Sequence, residues 1–150
     1  MSEYIKNAIE SGIRKAEEER ASKRAREDHI SQLLTSFEQQ VTTIITPMFE
    51  DAKRLFKEKL GKDFDIQRTK VENRTEGIRI SEAGELGKRT FFKVSCNSSG
   101  EASTTSWLNG VPGERDDRRV MTGGHSGALN TEFASWIERC AQHAASKKRG

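Results

Sequence analysis

Proline occurs only twice in the 150 residues, at Pro47 and Pro112, and residues 1–46 hold none of it and a single glycine, Gly12. With so few breakers, one helix can run through the first third of the chain. Cysteine is equally scarce: Cys96 and Cys140 stand far apart, which excludes a disulfide framework and leaves two thiols expected to pack as small hydrophobes. No apolar run approaches the roughly 18 to 20 residues that cross a bilayer. The first twenty residues carry mixed charge where a secretory leader would carry an apolar core. The expectation is a cytoplasmic protein that does not engage a membrane.

A strong field of one sign is missing too. The net charge is +3, from 26 basic and 23 acidic residues, and it is evenly spread. Residues 1–28 hold seven charges of each sign, and residues 129–150, the most basic segment, reach only +2. Nucleic-acid binders concentrate positive charge on a face or stripe; here every basic cluster has acids beside it. Apolar residues are also few, at 33% with a mean hydropathy of -0.80. They fill one modest core but cannot cover 150 residues of compact globule, so part of the chain is expected to project or self-associate.

What the sequence does have is helical periodicity. Ile30, Leu34, Phe37, Val41, Ile44 and Met48 recur at alternating steps of four and three residues, a seam along one helical face. Leu33 and Ile45 widen it, and charges at its flanks are scarce. A two-stranded coiled coil wants a narrower, charge-flanked seam; a helical bundle or packing on a sheet suits this one better. Upstream, Tyr4, Ile5, Ala8, Ile9, Gly12, Ile13 and Ala16 share a second helical face. There the small residues either admit a close helix-to-helix contact or belong to a short amphipathic helix lying on its own domain. Between the two faces, Arg14 to Asp28 reads as a solvated helix, with opposite charges four residues apart at Glu19 and Lys23, Lys23 and Glu27, and Arg24 and Asp28. A break at Asp28 is compatible with the pattern. Pro47 either kinks the helix or, at less cost, opens a new one capped by Thr46, with Glu50 and Asp51 in its first turn and Gly61 as its stop.

From Phe64 the period becomes two. Phe64 and Ile66, Ile78 and Ile80, and Phe92, Val94 and Cys96 alternate with polar neighbours, as half-buried strands do. The Ser- and Thr-rich stretch Glu101 to Leu108 reads as an edge strand or one solvated on both faces. A short strand follows around Val120 and Met121. Short connections favour an antiparallel meander of four or five strands. A helix from about Leu129 to Ser146, with Asn130 as N-cap, should cross it. The fold class is therefore α+β: residues 1–46 an extended helical and oligomerisation region, residues 47–150 a small α+β domain.

Candidate chemistry is sparse. Gly123, Gly124, His125, Ser126 and Gly127 run into the last helix, where backbone amides and the helix dipole could hold a phosphate or carboxylate. The loop lacks the lysine of a P-loop and the spacing of a dinucleotide fingerprint, and a flexible strand-to-helix connection is the simpler reading. Cys140 and His143, with Cys96 and His125, could in principle form a zinc set, but nothing in their spacing demands it. No metal or cofactor is assigned. Ser126 beside His125 is no nucleophile elbow, so no catalytic residue is assigned. Trp107 is either an interface anchor or core. The leading expectation is a non-enzymatic interaction protein. It would self-associate through the helical seam and bind a protein partner through the α+β domain. The alternatives are nucleic-acid binding through Lys23, Arg24, Arg26, Lys147, Lys148 and Arg149, or a ligand or enzymatic site at the 123–127 loop.

Overall fold

A computed structural model describes residues 2–83, 90–109, 116–120 and 126–149, the stretches 116–120, 126–128 and 147–149 in their backbone alone. The chain divides into two compact units, residues 1–32 and 33–150. The architecture is α+β. Helix α1 (Ser2–Gln40) leads through a π-helical turn (Val41–Ile45) into α2 (Thr46–Leu60). Strands β1 (Phe64–Val71), β2 (Arg74–Glu82), β3 (Phe91–Cys96), β4 (Ala102–Trp107) and β5 (Asp116–Val120) follow, and α3 (Ser126–Arg149) ends the chain.

At the π turn the helix continues through Pro47, so of its two expected roles the proline does not open a new helix. Ile45, which precedes α2, is itself in the α conformation and Thr46 caps nothing. The Thr46 N–H reaches back five residues to the Val41 carbonyl. Proline has no N–H for the helical ladder, and its ring collides with a carbonyl one turn earlier. One widened turn absorbs both defects without ending the helix. The β-branched run Val41–Ile45 forms that turn, turning Val41 and Ile45 fully inward. At the other end Gly61 adopts φ 65°, and the Gly61 and Lys62 amides bond to Lys57 and Phe56 at 3.0 and 3.2 Å, closing the helix as its sequence position implies.

The five strands pair in sequence order, all antiparallel. Residues opposite one another share a face, so register sorts the sheet. Ile66, Ile80, Phe92 and Ser106 form one inward row, and Ile78, Val94 and Thr104 another. β4 is neither an edge nor solvated on both sides, because β5 pairs with it and Ala102, Thr104 and Ser106 are buried. Their small side chains let α3 approach, and the Thr104 hydroxyl donates to the Glu132 carboxylate of that helix. α3 itself starts at Ser126, four residues before the expected cap Asn130, since Leu129 already packs inward one turn ahead of Phe133.

The core lies between this inner face and the helices. Phe49, Phe56, Phe64, Phe92, Phe133 and Trp136 form a continuous set of rings. Phe37, Val41 and Ile45 extend the core, so the wide helical face packs on a sheet. A second anchor is the β3–β4 turn. The Asn97 carboxamide oxygen accepts from the Ser99 and Glu101 amides at 2.9 and 3.0 Å, and Gly100 sits at φ 83°. A Cβ on Gly100 would stand 2.6 Å from Leu33 Cβ, so only glycine lets the turn close against that helix.

Phe37 is 1% exposed whereas Ile13 is 53% exposed, although both lie on α1 and both are apolar. Phe37→Ala should cost the 33–150 unit about 3–5 kcal/mol in urea unfolding, while Ile13→Ala should change it by less than about 0.5 kcal/mol.

Candidate functional site

The least covered apolar surface among the described residues is on residues 4–13 of α1. Tyr4, Ile5, Ile9 and Ile13 are 82%, 57%, 58% and 53% exposed. Helical spacing puts Ile5, Ile9 and Ile13 in one (i, i+4) row and Tyr4, Ala8, Gly12 and Ala16 in the row beside it. A Cβ built on Gly12 meets nothing within 4 Å. Large apolar groups are normally withdrawn from water, and a contiguous exposed set of them marks an interaction surface.

The seam expected as an interface is divided by the fold. Phe37 and Val41 are core residues of the 33–150 unit; Ile30, Leu34 and Met48 are half-buried and Ile44 is 38% exposed. Leu34 and Met48 pack against the core from its margin. Lys23, Arg24 and Arg26 are exposed on α1. The side chains of Lys147, Lys148 and Arg149, and the loop residues Gly123, Gly124 and His125, lie outside the described residues. Ser126 and Gly127 belong to the first turn of α3.

The outer face of the sheet carries an aromatic pair that periodicity only half revealed. Trp107 lies directly opposite Phe91, on the side away from Phe92 and Ser106, and both rings are half-buried. Leu108, by contrast, is 2% exposed and joins the core. The Trp107 backbone carbonyl accepts from the Trp136 indole N–H at 3.4 Å, linking the two faces. Phe91 was the missed member, because the pair Phe91 and Phe92 offers no alternation to say which ring points in.

Cys140 and His143 line a cleft of about 90 Å³ between the ends of α2 and α3 and the start of β1, together with Phe56, Phe64, Glu82 and Asn109. Lys62 Nζ donates to Glu82 Oε1 at 3.2 Å across its mouth. Burial pushes the Cys140 thiol up to about 12, so it stays protonated and a poor nucleophile at neutral pH. Cys96 is also raised by burial, but it borders a different depression, with Glu76 and Ser103. Among the described residues no three His, Cys, Asp or Glu side chains are grouped to hold a metal ion, and no helix is long and apolar enough to cross a membrane.

A polar contact ties α1 to the sheet within the 33–150 unit: Glu38 Oε1 accepts from the Thr75 amide at 2.6 Å. Hydrogen bonding by Thr75 holds the Glu38 carboxyl below its ordinary value of 4.5, with partial burial opposing the shift and Arg68 and Lys70 reinforcing it.

Comparison of the chain with protein-family models, with curated proteins and with solved structures gives no match.

A carboxyl whose value is lowered by folding stabilises the folded state above its unfolded value, and that contribution is lost as pH falls through the folded value. Glu38→Gln should therefore lower the melting temperature at pH 7 and leave a smaller drop below about pH 4.5 than the parent protein shows, read by thermal scans from pH 7 to pH 2. Cys96 and Cys140, being 1% and 7% exposed, should react with a thiol reagent only after the protein unfolds, which absorbance at the released thiolate follows directly.

Proposed function

We propose that this chain is a non-enzymatic, cytoplasmic protein-interaction module that self-associates through its helical N-terminal half and binds a protein partner through its α+β unit. The observation that carries the reading is the exposure of Tyr4, Ile5, Ile9 and Ile13 on one helical face, in a chain whose 33–150 unit has a closed core of its own. A helix in water gains little stability from its own hydrogen bonds, and most helical stability in proteins comes from burying an apolar face. Covering these residues with protein supplies that burial. Arg14 to Asp28, with its balanced charges of both signs, keeps the intervening helix hydrated. The outward pair Phe91 and Trp107 supports partner binding by the α+β unit, since aromatic side chains are enriched at protein interfaces and Trp among the residues that carry their binding energy.

The test is solution mass by light scattering after size exclusion, over a range of concentrations. The full chain should run as an oligomer, and the variant Ile5→Ser/Ile9→Ser/Ile13→Ser should return to monomer mass with the melting temperature of its α+β unit unchanged. A full chain of monomer mass at every concentration would remove the self-association reading.

A further inference from the structure

We infer that the outer face of the sheet docks an acidic segment of the partner protein, which sets a carboxylate over Arg79 and Lys93 and an apolar side chain against Phe91 and Trp107. This rests on the partner binding proposed above for the α+β unit and adds the chemistry of the partner. Arg79 and Lys93 lie directly opposite one another on the central strands β2 and β3, and both are half-buried. Like charges set opposite one another across a ladder are destabilising. Among the described residues no carboxylate forms an ion pair with either. The two side chains turn apart instead. Arg79 donates to Gln67 Oε1 of β1 at 2.7 Å, whereas the Lys93 stem lies across Gly77, where a Cβ would stand 3.0 Å from Lys93 Cε. A carboxylate over this pair supplies the missing counter-charge.

Register gives the segment its pattern. Phe91 and Trp107 form the next row of the same face, two residues from Lys93 along β3, so the aromatic and cation rows are about 7 Å apart. An extended segment places its side chains i and i+2 at that spacing: an apolar residue on the rings and a glutamate or aspartate over the cations. Acids border the two cations on several sides. Glu76 and Glu101 line a depression of about 260 Å³ with Ser95 and Ser103, in the row beyond Lys93. Asp65 stands in the aromatic row at the β1 edge, and Asp117 occupies the cation row two strands from Lys93. A polyphosphate strand running on from the two cations would meet these acids. A short segment with a single carboxylate stops short of them, so the charge pattern fits a protein better than a nucleic acid.

Three synthetic peptides test this on the isotope-labelled full chain: acetyl-Ser-Phe-Ser-Glu-Ser-amide, and the same peptide with glutamine or lysine in place of its glutamate. The two tryptophans of the chain report the position of the peptide through their indole N–H signals, Trp107 on the outer face and Trp136 in the core. The glutamate peptide should move the Trp107 signal and the Lys93 amide more than the Trp136 signal. It should bind about fivefold more tightly than the glutamine peptide, as two surface ion pairs allow, and the lysine peptide should bind least. Arg79→Gln/Lys93→Gln should abolish this preference without lowering the melting temperature, because the variant also removes a like-charge pair. An equal response to all three peptides would overturn the acidic requirement while leaving partner binding at the aromatic pair standing. No response at Trp107 to any of them would remove both. A glutamate preference that survives in the double variant would place the carboxylate elsewhere and overturn the proposal. Tighter binding of an oligothymidylate than of the glutamate peptide would overturn it in favour of nucleic acid.

Discussion

The 33–150 unit depends on the burial of one indole. Trp136 is fully enclosed and its ring centroid lies 6.2 Å from Phe56, 6.1 Å from Phe64, 5.7 Å from Phe92 and 5.8 Å from Phe133. The first three of those rings come from α2, β1 and β3, so this side chain of α3 ties the two helices to the sheet. Burying each large apolar side chain contributes about 1.5–3 kcal/mol, and well-placed ring pairs add about 0.5–1.5 kcal/mol. The remaining features serve that enclosure. The π turn carries the helix past Pro47 with Phe49 and Phe56 still facing the sheet, and the glycine turn at Gly100 admits Leu33 at the margin.

From this constraint follows the contrast along α1. At Phe37 the helix face is absorbed by the core, whereas at Ile5, Ile9 and Ile13 it stays exposed. Between them the charged stretch keeps the helix hydrated. The same secondary structure thus serves two physical purposes, and the proposed function belongs to the end that the core leaves bare.

Much of this was legible in the sequence because periodicity reports burial. The seam through Phe37 and Val41 announced a buried face, the two-residue alternation from Phe64 to Cys96 announced inward rows, and Gly61 announced a helix end. Three features were not legible, for identifiable reasons. A proline after a β-branched run reads locally as a new helix start, and the π turn that keeps the helix continuous is fixed by the need to hold both Val41 and Phe49 in one core. β4, composed of Ser, Thr and Ala, carries too little apolar signal to reveal that it is interior; its burial comes from the approach of α3. The Phe91 and Trp107 pair emerged only once register was known. Neither exposed face carries a catalytic or ligand motif, and which of the two apolar stripes on α1 is internal depends on where the sheet lies, information that a stripe does not contain.

In the proposed function, residues 4–16 gain their protection from another chain, whereas residues 33–150 protect themselves. Amide hydrogen exchange at several protein concentrations tests it most directly. Protection across residues 4–16 should rise with concentration while that of the central strands β2 and β3 does not change. Protection across residues 4–16 that is independent of concentration would contradict it.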